Sequence, residues 1–197
     1  MNRKRRIFWG KTAAILGAIP LLIWAHDYGP DAGYTNVPGE LGTCTQSQCH
    51  LGTATIATNQ ISVAFPNGQS YVPGVKQHLT ITISDPTQKA WGFQMTARNS
   101  GAAKTQAGTF GSSDANTLVM CASSNLLAQL EVDYAATTAQ SCPGNMPLQY
   151  IEHSKVGWTN TRGTGSGTYQ FDWTPPATNV GSIVIYILSL IHISEPT

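Results

Sequence analysis

The sequence predicts an all-β sandwich, and three observations carry that expectation. Short apolar runs alternate with polar residues at every second position, the period of strands buried on one face. Ile61-Ser62-Val63-Ala64-Phe65, Trp91-Gly92-Phe93-Gln94-Met95-Thr96-Ala97 and Thr168-Tyr169-Gln170-Phe171-Asp172-Trp173 are the clearest. Turn-forming residues end these runs, among them Pro66-Asn67-Gly68, Asp85-Pro86 and Pro175-Pro176. Charged residues make up only 11 % of the 197, while Gly (19) and Pro (11) are frequent, a balance that suits a loop-rich β domain and not a helical bundle. No internal repeat and no strand–helix–strand alternation is present. The length fits one domain plus a targeting segment.

The chain opens with a basic stretch at residues 2–6, followed by an apolar run from Thr12 to Ala25 that ends Ile23-Trp24-Ala25. This is the layout of a secretory signal peptide over residues 1–25, cut after Ala25. The run falls short of the ~20 apolar residues needed to cross a bilayer, and Pro20 interrupts it. An uncleaved anchor is the alternative. Without the leader, six basic side chains face ten acidic ones, a net charge of −4. No basic patch survives for nucleic acid.

Residues 26–58 read as an extended, irregular lead-in, rich in Gly and poor in apolar residues as far as Thr43. The sandwich is expected over 59–187. His78-Leu79-Thr80-Ile81-Thr82-Ile83 is its second strand, and 107–110 and 117–120 are shorter candidates. Cys121 and Cys142 bound a long excursion and read as a disulfide staple. Within it, Ser124 to Val132 fits a helical turn or a strand equally. Leu148 to His153 is a strand, and Gly181 to Ile187 is a near-continuous apolar run expected in the core. Residues 188–197 resemble translated sequencing-adapter read-through and are set aside as a non-native tail, so His192 receives no role. The other reading of that segment is a genuine last strand.

The chemistry is concentrated in Thr43-Cys44-Thr45-Gln46-Ser47-Gln48-Cys49-His50. A c-type haem site needs two thiols for the porphyrin vinyls and a histidine beneath the iron. Cys49-His50 keeps the second thiol next to the proximal ligand, although the spacing is C-x4-C-H and not C-x-x-C-H. One covalent haem c on Cys44, Cys49 and His50 is therefore the leading expectation. A plain Cys44–Cys49 disulfide is its rival, and a zinc site lacks two further ligands. His153 is the expected sixth iron ligand, with Met95 as the alternative. No G-x-S-x-G, H-E-x-x-H or phosphate loop points to an enzyme. Glu131 and Asp133 alternate on one strand face, which surface solvation explains.

Several segments resemble the reeler-like bacterial domains called choice-of-anchor V. These are Gly29 to Thr35, Pro38-Gly39-Glu40, Thr43-Cys44, Trp91 to Arg98, Gln106 to Phe110, Tyr150-Ile151-Glu152-His153 and Phe171 to Pro176, which span 29–187 in order. The resemblance implies a secreted immunoglobulin/reeler-like β-sandwich with an N-terminal haem-attachment-like motif and a C-terminal surface anchor. This chain departs in its x4 spacing, in the Cys121/Cys142 pair and in lacking the anchor. The expected function is electron transfer or a redox role with an unidentified redox partner, in the periplasm or at the cell surface. Membrane contact would come only through an uncleaved leader or the missing anchor. The alternative function is a non-haem surface adhesion or ligand-binding module.

Overall fold

A computed structural model describes residues 29–45, 59–134 and 141–192. The leader expected at 1–25, and Cys49 and His50, lie outside the described residues. Two antiparallel sheets face each other. The first runs β1 (Ile61–Ala64), β2 (Gln77–Ser84), β8 (Ser166–Thr174), β4 (Thr109–Ser112) in spatial order. The second runs β6 (Gln129–Asp133), β5 (Thr117–Ala122), β7 (Leu148–His153), β3 (Ala90–Asn99), β9 (Ile183–His192). The all-β sandwich is the observed fold.

Alternation sets which side chains meet between the sheets. Leu79, Ile81 and Ile83 of β2 and Tyr169, Phe171 and Trp173 of β8 form one wall, and Trp91, Phe93, Met95 and Ala97 of β3 form the other. Each large apolar side chain removed from water contributes roughly 1.5–3 kcal/mol. Phe93 packs on Tyr169 at 5.0 Å and on Phe171 at 6.1 Å between ring centroids, so the aromatic run of β8 grips the middle of β3. The Tyr169 hydroxyl donates to the Trp91 carbonyl at 2.7 Å across the sandwich, and burial pushes that phenol up to about 12.

The undecided stretch after Ser124 resolves into a turn and then strand β6, paired with β5 from Leu118↔Asp133 to Ala122↔Gln129. Leu126 stands at φ 61° in that turn. One short helix, α1 (Lys155–Thr161), was not legible in the sequence. Ser154 caps it by accepting from the Gly157 N–H at 3.1 Å. A Cβ at Gly157 would collide with the Asn116 carbonyl, so only glycine permits this approach. Cys121 and Cys142 are disulfide-bonded with Cα atoms 5.5 Å apart, as expected. β9 pairs with β3 from Asn99↔Ile183 to Ala90↔His192, so residues 188–192 complete a ladder along the start of β3.

Candidate functional site

Strand β3 is buried from Ala90 through Arg98, on both faces, which alternation alone does not explain. The inner face meets the other sheet. The outer face is covered by residues 29–45, which lie across β6, β5, β7 and β3 as a strap. Thr35 bridges Thr43, Asn36 N donates to Gly42 O at 2.8 Å, and Leu41 N donates to Gly33 O at 3.1 Å, so the strap doubles back on itself. Ala32 fits into an outer apolar cluster with Leu118, Met120, Ala122 and Tyr150. Ala32 N also donates to Gln129 Oε1 at 2.8 Å.

Two buried polar groups fasten the strap. Gln94 uses both ends of its amide. Its Oε1 accepts from Tyr34 N at 3.1 Å, while Nε2 donates to Asp31 O at 3.0 Å and to Glu152 Oε2 at 2.7 Å. Glu152 is fully buried, and burial pushes its carboxyl well above the usual carboxylate range. The Gln94 bond pulls the other way, and Glu131 and Asp31 add to the rise. Burial thus favours the neutral form of Glu152, which is wedged under Gly29, whose φ of +97° and missing Cβ let the chain pass.

The second fastening is Arg98. It is wholly buried, pairs with Glu40 of the strap at 2.9 Å, and also bonds Gln106 Oε1. Its guanidinium lies 5.0 Å from the Tyr150 ring centre, and the Tyr150 hydroxyl donates to the other Glu40 oxygen at 2.7 Å. Burial raises the Tyr150 phenol far beyond its ordinary range, so it acts as a donor at any physiological pH. Arg98 and Tyr150 hold one carboxylate between them.

The motif residues fall differently. Cys44 lies at the end of the strap and is 4 % exposed. His153 ends β7 and points between the sheets, 6.5 Å from Phe93 and 6.4 Å from Tyr169 by ring centroid. Its Nδ1 accepts from Phe93 N at 3.1 Å, and a Cβ on Gly92 would stand 2.8 Å from Cε1. The imidazole is thus closely packed between Phe93, Tyr169 and the Gly92 backbone. Met95 is fully buried in the core. Among the described residues no cluster of three or more His, Cys, Asp or Glu is placed to hold a metal ion. Glu131 and Asp133 lie on the exposed edge strand β6. Burial, with the charges of Asp133 and Asp31, pushes the Glu131 carboxyl up.

Gln94, Arg98 and Glu152 were passed over as site residues in the sequence. The signal was present: each sits at an outward position of a strand whose other face is core, and charged or amide side chains there require partners.

The class that this geometry defines is a two-sheet antiparallel sandwich with a clamped N-terminal strap. No family model and no curated protein sequence matches the chain. Among solved structures it is similar to the human F-spondin reeler domain, at 18 % identity over 69 % of this chain and 79 % of that one, TM-score 0.42. The Reelin-N domain of F-spondin is similar at 16 % identity over 68 % and 76 %, TM-score 0.40. A DUF4466 family protein from Parabacteroides merdae follows at 13 % identity over 65 % and 42 %, TM-score 0.29.

Proposed function

We propose that this chain is an exported, non-enzymatic ligand-binding or adhesion module of the periplasm or cell surface, with Cys44 and Cys49 joined as a structural disulfide. The observation that carries this reading is the burial of Cys44, 4 % exposed at the end of a strap held by Gln94, Glu152 and Arg98. A thiol tucked into a clamped segment suits a staple that closes the next loop. The Cys121–Cys142 disulfide supports an oxidising compartment, where such staples persist.

A second reading keeps haem c on Cys44, Cys49 and His50, with electron transfer to a redox partner. The adjacency of Cys49 and His50 favours it. When bound, the haem would supply one-electron chemistry, and Cys44 and Cys49 would tether it while His50 ligated the iron. His153 could join only by giving up its bond to Phe93 N and its place between Phe93 and Tyr169.

One experiment separates the two. The full chain is exported to a bacterial periplasm together with cytochrome c maturation factors, and its visible spectrum, haem stain and thiol content are recorded after denaturation. The proposal expects no Soret band and no titratable thiol. A Soret band that survives denaturation overturns it.

A further inference from the structure

The two sheets are stitched together at one edge and splayed at the other. Where β4 meets β5 and β7, Phe110 N donates to Gln149 Oε1 at 2.8 Å and Thr117 Oγ1 donates to Gln170 O at 3.3 Å. At the opposite edge the described ties run through Tyr71 of the β1–β2 connection, whose hydroxyl meets Asn179, Val180 and Gly181 just before β9. There the short strand β1 and the following Phe65 stand across from β9, and a cleft of about 790 Å³ opens between them. Val63 and Phe65 form one wall, and Ile183, Ile185 and Ile187 form the other. These three isoleucines take the inner-face register of β9, opposite Asn99, Ala97 and Met95, yet each is only half-buried. On the inner strands the inward isoleucines Ile81, Ile83 and Ile151 are fully buried, whereas Ile61 of edge strand β1 is, like the β9 isoleucines, only partly buried.

The lining has a chemical polarity. None of the twelve described lining residues is charged. Trp173 and Tyr71 close the inner end, meeting edge to face at 6.3 Å. The mouth carries only neutral hydrogen-bonding groups: Gln69, Ser70, Asn179 and Ser182. Tyr71 is held in place there, its hydroxyl donating toward Asn179 Oδ1 at 3.1 Å and accepting from Val180 N at 2.9 Å. Val72 and Val180, next in the chain to lining residues, are 60 % and 42 % exposed.

We propose that this cleft binds a neutral amphiphile: a single aliphatic chain laid between Val63/Phe65 and the β9 isoleucines, with an uncharged hydroxyl-bearing head among Gln69, Ser70 and Asn179. This assigns a ligand class to the ligand-binding reading above and rests on it. The volume lies within the 300–1,000 Å³ of small-molecule sites. An apolar chain completes burial that the fold leaves unfinished at three isoleucines. With no cation among the described lining residues, an uncharged head fits better than a carboxylate or phosphate, whose charge would be desolvated there without a partner.

The test uses the full exported chain and the fluorescent probe N-phenyl-1-naphthylamine, displaced by 1-dodecanol, 1-monolauroylglycerol or dodecanoate at pH 8. The expected result is saturable 1:1 probe binding, with both neutral competitors at least about ten-fold more effective than dodecanoate. Val63→Trp and Ile185→Trp fill the cleft from opposite walls and should each weaken probe binding about ten-fold or more. Leu127→Ser, on the far edge strand turn, should leave it unchanged. Circular dichroism identifies any variant that fails to fold, and the other wall's variant then carries the comparison. Absence of saturable binding, or binding indifferent to the folded cleft variants, overturns the site. Equal displacement by dodecanoate overturns the neutral head. A dimer in sedimentation that the cleft variants dissolve assigns the groove to a second copy and overturns the ligand. None of these readouts depends on haem, so a covalent haem in the spectral experiment leaves this result separately legible.

Discussion

Gln94 Nε2 donates to Glu152 Oε2 at 2.7 Å inside a sheet face that the strap has sealed from water. The same amide binds the strap backbone on both sides, so one side chain joins β3, β7 and residues 31–34. Its removal should loosen the strap and leave a buried carboxyl without its donor. Gln94→Leu is expected to cost about 2–4 kcal/mol in urea unfolding, two or more buried hydrogen bonds at ~1 kcal/mol each plus an orphaned acceptor. Limited proteolysis should then cut within 29–45 before the sandwich. Simultaneous cleavage of strap and sandwich would reject the strap's separate role.

Glu152 sets a pH dependence whose sign follows from its raised pKa. In the unfolded chain the carboxyl ionises near pH 4.3, but in the folded chain burial keeps its proton to much higher pH. The contribution is fully present below the unfolded value and is lost as pH rises through the folded one. Glu152→Gln removes this titration while keeping the neutral shape. The variant's stability relative to the parent should therefore climb as pH rises above about 4.3, by up to about 1.4 kcal/mol per pH unit, and level off once the folded carboxyl ionises. Parallel stability–pH curves would show that Glu152 is ionised in the folded protein.

The buried Arg98–Glu40 pair and the exposed Lys76–Asp172 pair should behave oppositely. Glu40→Ala strands the buried Arg98 guanidinium and is expected to cost about 3–5 kcal/mol, with little dependence on salt. Lys76→Ala breaks a pair of similar geometry, 2.7 Å from Asp172, at a side chain 63 % exposed. That change should cost roughly 0–1 kcal/mol and vanish at high ionic strength. Chemical denaturation in low and high NaCl distinguishes them. Urea is the suitable denaturant, because guanidinium would itself screen the surface pair.

Gly92 and His153 are coupled by space. Gly92→Ala should destabilise the fold by about 1–3 kcal/mol, because the new methyl meets Cε1 at 2.8 Å. Combining it with His153→Ala should cost less than the two single changes summed, since the vacated ring volume admits the methyl. Strict additivity would mean that the imidazole does not occupy that space.

Cys121 and Cys142 close a loop of 21 residues across the inner edge of β5. Replacing both with Ala is expected to lower stability by about 3 kcal/mol, seen as a fall in Tm that dithiothreitol reproduces in the parent but not in the variant.

Leu79, Ile81 and Ile83, Trp91, Phe93 and Met95, and Tyr169, Phe171 and Trp173 could be placed from the sequence, because a period of two is a local property and half-burial leaves it visible. The disulfide followed from two cysteines bracketing one excursion. The strap contacts could not be read in the same way. Gln94 finds Tyr34 and Asp31 some 60 residues away, and Arg98 finds Glu40 at a separation of 58. In the sequence those side chains look like the solvated half of an alternating strand. Helix α1 was too short to show periodicity, and it depends on Ser154 and on the space at Gly157.

By itself, then, the sequence determined most of the strands, the inner faces of β2, β3 and β8, and the Cys121–Cys142 staple. Only the tertiary structure decided that the middle strands β5, β7 and β3 of the second sheet are buried on both sides, that Arg98 and Glu152 serve the strap, and that the sandwich stands open beside β9. The reason is physical. Alternation records whether a residue is buried against something, whereas the identity of that partner depends on contacts between segments distant in the chain.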